Sequence, residues 1–303
     1  MTKLLVVSGE GVKSVEVINL DESSPNVTCK NFPDLPFPVN GGTGQLYGGD
    51  TPILCGGYNN GNDSCDCLAF KNGSWQDISK LSNCRRFSAG ATLPNLFEND
   101  SEEMMLVIGG RNDDGYFSNV ESFDGKVWRV GLVTDLPIAV TQLCVVKINE
   151  TTLMSMGGSA YGDVKETFFY NAVDNEWSSG PSFATGRNGP SCGLLNWKNE
   201  ETGKEEKVVV AASGASLTSV DLLFLDHDEG VWVKGPDVPE LSFIGKIVEY
   251  RNSVVLVGGF EGLHLYQLSS PAGPWLKMDQ SVQERRASGH SAFLIPDELA
   301  DCF

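Results

Sequence analysis

RRFSAGATLPN (85–95), EEMMLVIGG (102–110), NVESFDGKVW (119–128) and RVGLVTDLP (129–137) follow one another in the chain, and their reading decides the fold. Each piece has the length of a strand. An arginine-led segment runs into small residues, an apolar run stops on Gly109-Gly110, an alternating run ends on Trp128, and a short edge segment closes on Pro137. Paired glycines after Leu106-Val107-Ile108 suit a tight turn at positive φ, where a side chain would be strained.

The unit recurs along the chain. TPILCGG precedes Trp75, TTLMSMGG precedes Trp177, KVVVAASG precedes Trp232 and SVVLVGG precedes Trp275. In the fifth unit Ser213-Gly214 replaces Gly-Gly. The tryptophans at 75, 128, 177, 232 and 275 lie 53, 49, 55 and 43 residues apart. A period of about 50 residues, with strands and turns but few helix-forming runs, marks a propeller built from four-stranded blades. The first unit is TKLLVVSGEG, VKSVEVINLD and NVTCKNFPDLP, with Ser8-Gly9 at the turn and no innermost strand. The chain ends on the reverse, an innermost strand ERRASGHSAFLI (284–295) with no blade. Joining the two closes a ring and removes two unpaired sheet edges.

These repeats resemble Kelch repeats, in which an apolar strand ends in Gly-Gly and is followed by an aromatic residue and a Trp. The resemblance covers nearly the whole chain and implies a six-bladed, all-β propeller, a single domain over 1–303. Its blades are expected at about 1–37 plus 284–296, 38–82, 83–137, 138–184, 185–239 and 240–283. The tryptophans then pack between blades and are not ligand contacts.

A net charge of -18 repels phosphate backbones and excludes general nucleic-acid binding. No apolar run approaches the length of a membrane span, so membrane insertion is not expected. Eight cysteines are present, four of them between 55 and 84. Cys55 reads either as a buried thiol or as one half of a bridge to Cys65 or Cys67 on the adjacent strand. Asn-X-Ser/Thr sequons at Asn26, Asn62, Asn72, Asn99 and Asn149 all fall at turns, where a glycan has room. MTKLLVVSGE reads as a strand and not as a signal peptide. The sequons favour an extracellular protein, with a cytoplasmic one holding free thiols as the alternative.

No catalytic residue, metal site or cofactor is assigned. His227, His264 and His290 stand on separate segments. Copper- and iron-dependent enzymes of the resembling family need Tyr/His or Glu/Asp/His sets that this sequence does not assemble. The loop with Glu98, Asp100, Glu102 and Glu103 reads as solvated. Two function classes remain: a non-enzymatic interaction domain that docks a protein or acidic peptide on one face, or a carbohydrate-binding or sialic-acid/sugar-active propeller that uses its central pocket. In an up-and-down blade, the segment leading into the first strand and the turn after Gly-Gly share one end of the ring. That end is expected to collect Arg86, Arg187, Asn188 and Arg286 from the lead-ins, and Tyr58, Arg111 and Tyr161 from the turns. Kelch adaptors of ubiquitin ligases bind acidic peptides with arginines at this position, so the resemblance implies Arg86, Arg187 and Arg286 as ligand-facing. The competing expectation is that these arginines pair with carboxylates and tie the ring together.

Overall fold

The computed structural model describes residues 3–9, 11–21, 32–97, 102–227, 230–258, 263–284 and 289–300. It is a six-bladed β-propeller of antiparallel sheets. The second blade runs outward through Thr43–Tyr47, Thr51–Cys55, Cys67–Lys71 and Ser74–Asp77. The third uses Ala89–Pro94, Glu103–Ile108, Val120–Phe123 and Trp128–Val130, the stretch whose sequence set the pattern. Blades four, five and six begin with Cys144–Asn149, Ser191–Lys198 and Lys246–Tyr250. The first blade pairs Val15–Asn19 and Lys3–Val7 with the C-terminal Ser291–Ile295, in a register that sets Lys3 opposite Ile295 and Val7 opposite Ser291. The ring is therefore closed as the sequence predicts. Most of the expected outer strand of this blade lies outside the described residues.

The core is divided among the six interfaces between blades, one apolar cluster at each. On Lys3–Val7, Leu4 and Val6 face the sixth blade while Leu5 and Val7 face the second. Alternation sends successive side chains to opposite faces of a sheet, and here both faces are covered. That is why the second strands read as unbroken apolar runs.

The glycine pair has a specific cause. The N–H of the second glycine donates to a carbonyl in the lead-in of the next blade: Gly57 to Arg85 (2.7 Å), Gly110 to Val140 (2.8 Å) and Gly158 to Arg187 (2.7 Å). A Cβ on the first glycine of each pair would stand 2.5, 2.7 and 2.6 Å from those same oxygens. Tryptophans complete the joint. The indole N–H groups of Trp75, Trp177, Trp232 and Trp275 donate to Pro33, Thr134, Pro181 and Pro236, each in the segment leaving the preceding blade.

Three disulfides are present among the described cysteines. Cys55 and Cys67 sit directly opposite on adjacent strands and are bridged, which resolves the alternatives for Cys55. Cys65 bridges Cys84, and Cys144 bridges Cys192 between the innermost strands of blades four and five.

Candidate functional site at the channel mouth

Six residues hold the left-handed conformation where the chain turns into each innermost strand: Gly41 (φ 70°), Phe87 (54°), Gln142 (57°), Gly189 (64°), Ile244 (54°) and Gly289 (68°). They encircle the channel mouth and bond backbone to backbone across blades, Gly41 to Gly289 (3.0 Å), Phe87 to Gly41 (2.8 Å), Gln142 to Phe87 (2.8 Å) and Ile244 to Gly189 (3.0 Å). Three non-glycine residues tolerate this strained region because the hydrogen bonds fix it.

In blades two, three and four the residue before the ring position is held beside the turn after the glycines. Asn40 and Tyr58 exchange two backbone hydrogen bonds (3.0 and 2.7 Å), as do Arg86 and Arg111 (2.9 and 3.0 Å) and Thr141 and Ser159 (3.1 and 2.8 Å). Lead-ins and turns thus share one end of the ring, bringing together Tyr58, Arg86, Arg111 and, on the next blade, Tyr161. Tyr161 is 93% exposed and meets Tyr116 edge-on, ring centres 4.9 Å apart.

The arginines divide into two kinds. Arg86 is nearly buried between Asp63 (2.5 Å) and Asp113 (2.9 Å), with its guanidinium 4.7 Å from the Tyr58 ring. Its fork is already filled by carboxylates of its own chain. Arg111 is different: its guanidinium leans toward Phe87 at 5.9 Å, and its Nε is buried without a hydrogen-bond partner. The Oδ1 atoms of Asn40 and Asn188, both one residue before a ring position, are likewise buried and without partner.

Arg187 does not occupy the position of Arg86. Counted back from Gly189, it stands two residues before the ring, where Arg85 stands relative to Phe87. It is 2% exposed and spends its donors within its own blade. Nε and Nη2 reach Asp221 Oδ2 (2.9 and 2.7 Å), and Nη1 reaches the carbonyls of Ser213 (2.7 Å) and Ser219 (2.8 Å). Arg85 repeats the arrangement with Glu121 (2.7 Å), Gly109 O (2.9 Å) and Asn119 O (3.2 Å). Desolvation pulls the Arg85 pKa down, and the Glu121 carboxylate opposes it. These are ties of blade to lead-in, and Arg187 offers no surface to a ligand. Asn188 is the residue that takes the Arg86 position. Arg286 lies outside the described residues.

Of the sequons, Asn62, Asn72 and Asn149 are exposed, and Asn26 and Asn99 lie outside the described residues. His290 is buried, its Nε2 3.2 Å from Val257 O, while His264 faces Glu240 (3.1 Å) and His227 faces Glu206 (3.3 Å). No cluster of metal-ligating side chains occurs among the described residues.

The solved structure of YjhT is similar over 91% of this chain and 94% of that one, with a TM-score of 0.72 and 13% identity. At that identity the likeness shows the fold, a propeller. Neither protein-family models nor curated protein sequences give a match.

Proposed function

We propose that the protein is a non-enzymatic docking propeller of Kelch type that receives a partner protein on the channel-mouth face, over blades two to four. The observation that carries this reading is the Arg111 guanidinium beside Phe87, its Nε without a hydrogen-bond partner, framed by Tyr58, Tyr116 and the exposed Tyr161. Tyr and Arg dominate binding energy at protein interfaces because they bring large area, few rotamers and strong donors. Arg111 is the group that meets a partner carboxylate; Arg86, between Asp63 and Asp113, stiffens the platform beneath it. Asn188, at the mouth beside this face on blade five, holds a further acceptor that is buried without a partner. The partner is therefore a protein segment with an acidic residue beside an apolar one, not a uniformly acidic peptide.

The test is a peptide array carrying acidic-apolar segments and scrambled controls. Retention by the wild type, and its loss on Arg111→Ala or Tyr161→Ala in folded protein, supports the reading. Equal retention by both variants places the site elsewhere. A sugar-active central pocket has less support, because the cavity at the channel waist is about 90 Å³, too small for a sugar ring. The three disulfides and exposed sequons favour an extracellular glycoprotein. Intact mass before and after deglycosylation tests it.

A further inference from the structure

Below the mouth, the innermost strands narrow the channel to that cavity of about 90 Å³. Thr43, Ser88 and Ser291 line it, but their hydroxyls are engaged: Thr43 Oγ1 with Ser88 Oγ (2.6 Å) and Ser88 O (3.0 Å), and Ser291 Oγ with Gly42 O (3.0 Å). Two other lining side chains are not engaged. The Lys246 ammonium and the Gln45 carboxamide make no side-chain hydrogen bond or ion pair with any described residue. Lys246 is the one charged group among the described residues that line the cavity, and no carboxylate stands with it. In a chain of net charge -18 this is a local reversal of sign.

An ammonium held in a narrow channel loses part of its hydration, and desolvation pulls the Lys246 pKa down to about 8. At pH 7 it is still mostly protonated, so it carries a charge that no group among the described residues lining the cavity compensates. Such a charge recruits a counter-ion when space permits. The cavity corresponds to about three waters. That is room for an ion the size of formate or acetate, and not for a peptide segment. The carboxamide N–H groups of Gln45 supply a second, neutral donor from the innermost strand of blade two, two blades round the ring from Lys246. We propose that the channel waist binds a small monovalent oxyanion, held by the Lys246 ammonium and the Gln45 carboxamide. This site is separate from the docking face and independent of what binds there.

Sodium formate and sodium acetate are the probes, titrated into the full chain at pH 7 by calorimetry and thermal unfolding, with ionic strength held by a bulky sulfonate salt. The expected result is saturable heat and a rising unfolding midpoint. In Lys246→Met the affinity should fall about tenfold or more, as loss of a charge-assisted bond implies. Lys246→Arg should keep most of it, and Gln45→Ala should weaken it several-fold. Lys246→Met should itself unfold no earlier than the wild type in the absence of the probe, which shows that it is folded. Two results overturn the proposal: no saturable heat in the wild type, or equal responses in the wild type and Lys246→Met, which would mean that the ion acts elsewhere.

Discussion

Replacing Arg187 with Met separates the two roles that its sequence position allows. In the structure its guanidinium contacts Asp221 through two nitrogens and satisfies the carbonyls of Ser213 and Ser219. Methionine fills most of the volume but leaves two carbonyls and a carboxylate without their donor. Breaking one side of a buried pair costs about 3–5 kcal/mol, and each stranded buried acceptor about 1–3 kcal/mol. Asp221 has a side chain 23% exposed and recovers some hydration, so the lower part of that range, about 3–4 kcal/mol, is expected. Unfolding entropy of about 2 cal/mol/K per residue turns this, over 303 residues, into a midpoint about 5–6 °C lower. Asp221→Asn, which keeps an acceptor oxygen, should cost less. The double variant should cost less than the sum, because each single change strands the other partner. Urea titration and calorimetry give both numbers. A variant within about 0.5 kcal/mol of the wild type that nevertheless loses its partner would refute the tie and restore Arg187 as a ligand contact.

Three further outcomes follow from the joints and the channel. Gly157→Ala should cost at least about 2 kcal/mol, since it adds a Cβ 2.6 Å from Arg187 O at φ 61°. The control Gly61→Ala, also at positive φ but with nothing within 4 Å, should cost less than half of that. Deleting residues 284–303 removes the strand Ser291–Ile295 that closes the ring, and thermal unfolding should occur at least about 10 °C lower, with aggregation from the exposed edge; an unchanged midpoint would sink the closure. Lys246→Met should raise stability at pH 7, by at most about 3 kcal/mol. Because the folded pKa of Lys246 lies below its unfolded value, the wild type binds fewer protons folded than unfolded between about pH 8 and pH 10. Its stability therefore rises with pH in that window, and the advantage of the variant should shrink there.

The blades were legible because their determinants are local. Gly-Gly at a fixed place after an apolar run is a backbone requirement, and Gly56, Gly109 and Gly157 all meet a neighbouring carbonyl where a Cβ would go. The spare strand at the C-terminus announced its own partner. The site was harder to read because its frame is set by backbone conformation and not by residue type. Phe87, Gln142 and Ile244 take the same left-handed turn as Gly41, Gly189 and Gly289, and no side-chain pattern marks them. Without that frame, Arg187 aligns by eye with Arg86 and not with Arg85. Gly189 was the available signal, since a glycine right after Arg187-Asn188 marks the turn. The Cys144–Cys192 bridge and the Lys246 site depend on which innermost strands meet at one level of the channel, and only the closed ring supplies that.

Amide hydrogen exchange, with and without a peptide retained on the array, tests the docking face most directly. The account predicts protection at Tyr58–Asn59, Arg111–Asn112, Gly115–Tyr116 and the turn carrying Tyr161, with no change in the groove between Trp197 and Arg251 on the opposite face. Protection confined to that groove, or to the outer strands, would contradict it.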